Sequence, residues 1–295
     1  MSGRAGVTAN MLKSGRWCLR GRAGERAYHA VTFVGGGAFS QVWQVRDEQS
    51  GELFALKELR AEWDGHKTAR QLFANEAEVG QKLSSPFIVR ILQAQLQSAP
   101  RYLLMEWMLG QTLEHLLCEA GSLPVCQTVW IARQCVQGMS DLAVAGYMHG
   151  DIKPSNVFVC RNGQVKLIDL GFAHPTSAVS AEITGTLEYL APESLTRVPS
   201  GIARDLYSLG VMLFRMLSGR LPFAGESASD IARQQQESIA PALRSLNPHV
   251  PHEVASLVQR LLSKQPLRRA AGLADLVREL VALEIDLLSS ELRQR

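Results

Sequence analysis

Along the chain the spacing of apolar positions changes once, from strand-like to helical. Residues 31–34, 42–45 and 53–58 are short, β-rich runs separated by Gly35-Gly36-Gly37 and by Gln49-Ser50-Gly51, and they predict three strands. A helix is predicted over 71–83 and two further strands over 88–92 and 102–107. From there apolar residues recur at helical spacing, over 112–117 and then 125–143. Within that helical part, the apolar runs 157–159 and 165–168 flank the turn signal Arg161-Asn162-Gly163 and predict a hairpin.

Composition adds exclusions. The chain is 46% hydrophobic and 20% charged, which suits a soluble globular protein with a sizeable core. A net charge of +3 is too small to point to nucleic acid. The basic residues that cluster, Arg4, Lys13, Arg16, Arg20, Arg22 and Arg26, stand against the single acid Glu25 in an N-terminal extension, 1–28. That extension reads as a poorly ordered leader with one short strand at 17–20, and it lacks the apolar core of a secretory signal. The five cysteines form no CxxC pair and are odd in number, so neither a disulfide framework nor a zinc site is expected and a reducing, cytoplasmic location is. Apolar stretches such as 206–217 are interrupted by Ser208 and Arg215 and are too short to span a membrane.

Candidate chemistry is concentrated in Tyr147-Met148-His149-Gly150-Asp151-Ile152-Lys153-Pro154-Ser155-Asn156 and in Asp169-Leu170-Gly171. Pro154 ends any helix begun at Ile152, so 151–156 is predicted as a loop whose two ends share one cleft. The hairpin then returns Asp169 beside Asn156, giving two oxygen ligands of the type Mg²⁺ selects. With Asp151 to orient a hydroxyl and Lys153 as a cation beside it, the set suits phosphoryl transfer.

These segments resemble the catalytic loop and metal-binding motif of protein kinases. Other motifs follow in the family's order. Gly35, Gly37 and Ser40 occupy the glycine positions of the nucleotide loop, with Ser40 in place of the third glycine. Lys57 in Ala55-Leu56-Lys57 matches the phosphate-binding lysine, with Glu76 as its helix partner and Glu78 ranked second. Met105-Glu106-Trp107-Met108 resembles the hinge, Gly185-Thr186-Leu187-Glu188-Tyr189-Leu190-Ala191-Pro192-Glu193 the end of an activation segment, and Asp205-Leu206-Tyr207-Ser208-Leu209-Gly210 the start of the buried helix that anchors it; Arg269 would pair with Glu193. The resemblance spans 30–283 and is greatest to bacterial eukaryotic-like (Hanks-type) serine/threonine kinases.

The resemblance implies an α+β, bilobal protein-kinase-like fold: a small antiparallel β-sheet N-lobe (29–108) with one key helix, a larger, mainly α-helical C-lobe (109–285), and a tail (286–295). It implies ATP with Mg²⁺, or Mn²⁺ in its place. ATP would contact Gly35, Gly36, Gly37, Ala38, Phe39, Ser40, Val42, Ala55, Lys57, Met105, Glu106, Met108 and Phe158; Asn156 and Asp169 would hold the metal. Asp151, Lys153, Lys57, Glu76 and Thr186 would form the catalytic set, with Thr186 bonding Asp151 and Lys153. The implied partners are protein substrates bearing Ser or Thr, the chain itself included.

Two other classes share part of this pattern. Small-molecule kinases also use an HGD loop, but Lys153 with Thr186 and the Ala191-Pro192-Glu193 ledge favour a protein substrate. A catalytically dead scaffold would have lost Lys57, Asp151, Asn156 or Asp169, and all four are present. Two departures remain, Leu170 in place of the usual phenylalanine and Gly80 inside the Glu76 helix. Gly80 predicts a loosely held helix whose position depends on a regulatory protein or on substrate. Thr112 and Ser155 stand where arginine-selecting kinases carry acids, so no strong basic preference is expected. Gly150 supplies no guanidinium for an activation-segment phosphate, and Glu182 stands four residues before Thr186, so activity should depend little on phosphorylation at Thr176, Ser177, Ser180 or Thr184.

Overall fold

The computed structural model describes residues 16–21, 24–176, 185–196, 201–270 and 272–294. Arg4, Lys13 and Arg22 of the basic extension, and Ser177, Ser180, Glu182 and Thr184, therefore lie outside the described residues. The chain forms two compact units, one of residues 1–84 and 89–109, the other of 85–88 and 110–295.

In the N-terminal unit, β1 (Arg16–Gly21), β2 (Gly24–Gly36), β3 (Ser40–Asp47), β4 (Leu53–Leu59), β5 (Ile91–Gln95) and β6 (Tyr102–Glu106) make an antiparallel sheet in the order β1-β2-β3-β4-β6-β5. The strand expected at 17–20 is thus β1, an outer member of this sheet. Strand side chains alternate between faces, and one set, Tyr28, Val45, Phe54, Leu56, Tyr102 and Leu104, forms a buried cluster. Each such burial stabilises by about 1.5–3 kcal/mol. Tyr28 and Phe54 meet edge to face, centroids 5.8 Å apart.

The strand expected at 88–92 begins later, at Ile91. Ile88 instead bridges Leu167 in parallel within the C-terminal unit, where the Leu167 N–H donates to the Phe87 carbonyl at 2.8 Å. An apolar run can serve either purpose, and long-range pairing decided it. Helix α1 (Lys67–Lys82) starts earlier than the expected 71 and buries Ala69, Phe73, Glu76, Ala77 and Gly80 on one face.

The side of α1 at Gly80 is not left without a packing partner, contrary to expectation. A Cβ built there would fall 2.4 Å from Cδ1 of Ile91. The neighbouring strand fills the space, so glycine marks a close approach of α1 to β5 and not a missing contact. The case for a partner docking at the Glu76 helix loses its structural reason.

The C-terminal unit contains β7 (Gly110–Thr112), α2 (Leu113–Ala120), α3 (Val125–Val144), β8 (Tyr147–Met148), β9 (Val157–Cys160), β10 (Val165–Leu167), β11 (His174–Pro175), α4 (Pro192–Leu195), α5 (Ala203–Ser218), α6 (Ala228–Glu237), α7 (Leu243–Leu246), α8 (His252–Leu261) and α9 (Leu273–Gln294). Small sheets order as β10-β9-β7 and β11-β8. From Asp205 to Leu217 every residue of α5 except Arg215 is buried, the pattern of a helix enclosed on all sides. Helix α9 runs along α3, tied by Arg133 Nε to Glu284 Oε1 at 2.8 Å, and continues through residues expected to form a tail. None of the described helices is long and apolar enough to cross a membrane.

Gly80→Ala is expected to lower stability by about 1–2 kcal/mol, because overpacking of about 1–3 kcal/mol outweighs about 1 kcal/mol of helix propensity. Combining it with Ile91→Val, which removes the clashing Cδ1, should recover part of the loss. Denaturant melts read both; a stabilised Gly80→Ala would contradict the close approach.

Candidate active site

The predicted site residues of the N-terminal unit lie on one face of its sheet or at its tip. Val42 is the cross-strand partner of Lys57, and Ala55, two residues before Lys57 on β4, is the partner of Met105 on β6. Directly opposed residues share a face, as do residues two apart, so Val42, Ala55, Lys57 and Met105 line up together. At the tip, the Gly37 N–H donates to the Ser40 carbonyl at 3.0 Å, closing the turn that carries Ala38 and Phe39 between β2 and β3. Gly35 and Gly36 sit opposite Val42 and Gln41. The Glu106 N–H is already donated to the Arg90 carbonyl, at 3.1 Å. Half-buried Met108 follows in the segment after β6.

Lys57 Nζ donates to Glu76 Oε2 at 2.6 Å, with side chains 11% and 4% exposed. Glu78 instead pairs with Lys82 one turn on, at 2.8 Å, and is out of the competition. A buried lysine is tolerated only with its charge partnered, so this pair also fixes α1 against β4.

In the C-terminal unit the hairpin forms as expected. The Cys160 N–H donates to the Gln164 carbonyl at 2.8 Å, and Phe158 sits on β9 between Thr112 and Lys166. Its turn is held by Gln134 of α3, which donates to the Gly163 carbonyl at 3.0 Å and accepts the Val165 N–H at 2.9 Å. The expected loop 151–156 contains a turn of 3₁₀ helix over Pro154–Asn156. The Ile168 N–H donates to the Asn156 carbonyl at 2.9 Å, which sets Asp169 one residue from that bond. Asp169 has φ 62°, the left-handed region, and is alone in this among the described non-glycine residues. Such strain, about 1–3 kcal/mol, persists where surroundings impose it and marks functional positions.

Asp151 is 5% exposed and surrounded by donors. Its Oδ1 accepts the Thr186 N–H at 3.0 Å and the Thr186 hydroxyl at 3.1 Å. Its Oδ2 accepts Asn156 Nδ2 at 2.9 Å and Lys153 Nζ at 2.7 Å. Lys153 also donates to Thr186 Oγ1 at 2.6 Å. Asn156 spends its amide nitrogen on Asp151, on the carbonyl at 2.8 Å as well as on Oδ2, and so turns its oxygen, a hard donor, away from Asp151. That oxygen and the Asp169 carboxylate fit Mg²⁺, which takes few protein oxygens and completes its octahedron with phosphates and water.

Two positioning groups escaped the sequence reading of this loop. Asp205, at the start of α5, accepts the His149 N–H at 2.8 Å and the Gly150 N–H at 3.0 Å. Burial pushes its carboxyl pKa up, opposed by His149 and by these N–H bonds. The His149 ring accepts the Asp151 N–H at Nδ1, 3.3 Å, so its Nε2 carries the proton donated to the Ile168 carbonyl, 3.1 Å. The tautomer is assigned from these partners. Gly150 has φ +79°, and a Cβ there would fall 2.5 Å from the Phe172 carbonyl oxygen. Its position excludes any side chain in this conformation, beyond merely lacking a guanidinium.

Downstream, Arg269 is fully buried and grips Glu193 at 2.5 and 2.7 Å. It also donates to the carbonyls of Ala203, 2.6 Å, and Ser263, 2.9 Å. Ser208 on α5 donates to the Tyr189 carbonyl at 2.8 Å, and the Tyr189 hydroxyl accepts from Arg215 at 2.8 Å. Residues 185–196, which carry Thr186, are therefore pinned from α5 and from Arg269. Thr112 caps α2 by accepting the His115 N–H at 3.3 Å.

Residues 28–281 match the Protein kinase domain family. The chain is 28% identical over 265 residues to a probable serine/threonine-protein kinase of Clostridium perfringens (88% of this chain, 38% of that protein). It is 28% identical over 269 residues to the serine/threonine-protein kinase PrkC of Bacillus subtilis (90% and 42%), and 30% identical over 278 residues to PknA of Mycobacterium tuberculosis (91% and 60%). The chain thus spans 38% to 60% of the length of these relatives.

Glu193→Ala would leave the Arg269 guanidinium buried and unpaired, which costs about 3–5 kcal/mol. Glu193→Gln, keeping one acceptor, should cost less. Thermal melts of the two variants check this order; equal and small losses would show that the pair does not hold residues 185–196.

Proposed function

The chain belongs to the protein kinase domain family, and from that premise we propose that it transfers the γ-phosphoryl group of ATP to serine and threonine hydroxyls of protein substrates, itself included. Protein kinases generally use ATP and Mg²⁺. The observation that carries the reading is the cluster in which Lys153, Asn156 and Thr186 all lie within bonding distance of the buried Asp151. The intact Lys57–Glu76 pair supports it from the N-terminal unit.

The proposal assigns nucleotide binding mainly to residues 29–108 and the chemistry to 109–285. In it Val42, Ala55 and Met105 pack on adenine, while the Glu106 and Met108 backbone bonds its edge. Residues 35–40 approach the phosphates with backbone, and Lys57, held by Glu76, donates to them. Asn156 Oδ1 and Asp169 would hold Mg²⁺, or Mn²⁺. Bound there, the metal supplies positive charge against the phosphate oxygens in the transition state.

All four lone-pair directions of the Asp151 carboxylate are already engaged. A substrate hydroxyl therefore enters by replacing one of these donors, and Lys153, the one with a second acceptor in Thr186, is free to turn toward the transferred phosphoryl group. Asp151 then orients the attacking oxygen and receives its proton. Thr186 holds Asp151 from the opposite oxygen. A cytoplasmic setting belongs to the proposal, and thiols at Cys118 and Cys135 that form no disulfide are compatible with it.

Incubation with γ-labelled ATP, Mg²⁺ and a generic protein substrate should label serine and threonine, and Asp169→Ala should abolish the label. Nucleotide binding without label in the unaltered protein would favour a scaffold; label on small hydroxyl compounds alone would favour a small-molecule kinase. Asp151→Asn should lower kcat by about 10²–10⁴-fold, the usual range for a positioned acid–base group, with ATP affinity little changed. An unchanged kcat would remove Asp151 from its role.

A further inference from the structure

Helix α1 begins with charge of the wrong sign. Its first turn holds no acidic residue and its N-cap, His66, makes no side-chain cap bond; Lys67 and Arg70 stand there instead. Free backbone N–H groups make the start of a helix positive, so cations placed on it destabilise. Among the described residues neither Lys67 nor Arg70 has an ion-pair partner. At the other end of the helix, where a cation is favoured, Lys82 is paired with Glu78. The chain keeps two uncompensated cations where its own backbone repels them.

Those cations share a cavity. Lys67, Arg70, Gln71 and Ala74 follow the i, i+3, i+4, i+7 spacing of one helix face. With Leu96 and Arg101, from the connection between β5 and β6, they line a cavity of about 260 Å³ within the N-terminal unit. Three cations and no acid line it. Arg101 is the fixed member, its side chain 12% exposed: Nε donates to the Leu96 carbonyl at 2.9 Å and Nη1 to Asp64, which leaves Nη2 unbonded. Asp64, the acid beside the cavity, is thus already spent on Arg101.

We propose that this cavity docks a phosphorylated serine or threonine side chain of a protein. A phosphomonoester carries about −1.5 to −2 charges at pH 7, enough to answer both unpaired cations, and guanidinium forks match its oxygens in pairs. Ala74 and Leu96 supply an apolar wall for the residue beside the phosphorylated one, which a free phosphate ion would not use. The source of the ligand rests on the kinase reading above, since phosphoserine and phosphothreonine proteins are the products of that reaction. The site gives α1 a partner on grounds independent of Gly80.

The test is equilibrium binding, without ATP, of a synthetic peptide bearing one phosphothreonine between leucines to the whole chain, beside its unphosphorylated form and inorganic phosphate. The phosphopeptide should bind at least tenfold more tightly than either. Arg70→Ala and Lys67→Ala should each weaken it about tenfold, or about 1.4 kcal/mol, without lowering the melting temperature, and Leu96→Ala should weaken the phosphopeptide but not inorganic phosphate. Equal affinity for the two peptides would overturn the proposal, as would phosphate alone binding as tightly as the phosphopeptide. Undiminished binding in Arg70→Ala would also overturn it, and a lower melting temperature in both cation variants would make these residues props of the helix. The peptide is supplied already phosphorylated, so any of these failures leaves the kinase reading to the labelled-ATP assay, and absence of label there leaves phosphopeptide binding intact.

Discussion

Carboxyl and guanidinium groups withdrawn from water organise the C-terminal unit. Asp151, Glu193, Asp205 and Arg269 are 5%, 6%, 2% and 0% exposed, and a charge so placed is stable only where other groups bond it. Each therefore ties together segments far apart in sequence. Asp205 joins α5 to the backbone of 149–150, Arg269 joins the stretch after α8 to Glu193 and to the start of α5, and Asp151 joins its own loop to Thr186. Helix α5 is the common post. Its apolar burial holds it still, and Asp205 and Ser208 at its first turns carry that rigidity to the loop and to residues 185–196.

The N-terminal unit works by the same constraint on a smaller scale. Lys57 projects from a strand whose neighbours are buried, and Glu76 is the partner that makes its charge acceptable. That bond needs α1 close to the sheet, which the contact of Gly80 with Ile91 permits. A larger residue at either place would push helix and strand apart, so packing and electrostatics select the same geometry. In Asp151 and Lys57 alike, the groups best suited to chemistry are those whose burial the fold has had to compensate.

Much of this was legible in the sequence because it depends on local order. Asp151, Lys153 and Asn156 lie within six residues, the hairpin turn announces itself through Asn162-Gly163, and the distance of Glu76 from Lys57 follows from one helix after one strand. What was not legible depends on partners distant in sequence. The run at 88–92 reads as a strand, yet Ile88 is claimed by Leu167 and the strand starts at Ile91. Gly80 shows an absent side chain, and only Ile91 reveals that the space is filled. Asp205 and Gln134 look like polar residues at the edge of apolar helices; what they bond is set 56 and 31 residues away. The left-handed backbone of Asp169 leaves no trace in residue type.

If the constellation around Asp151 is a device for aiming it at a hydroxyl, Thr186 acts through Asp151 and has no separate effect on transfer. A double-mutant cycle of Thr186→Val and Asp151→Asn in single-turnover phosphoryl transfer measures this directly. The account predicts that Thr186→Val slows transfer about tenfold or more, 1.4 kcal/mol of barrier, when Asp151 is present, and has little effect once Asp151 is Asn. Equal losses in both backgrounds would contradict it.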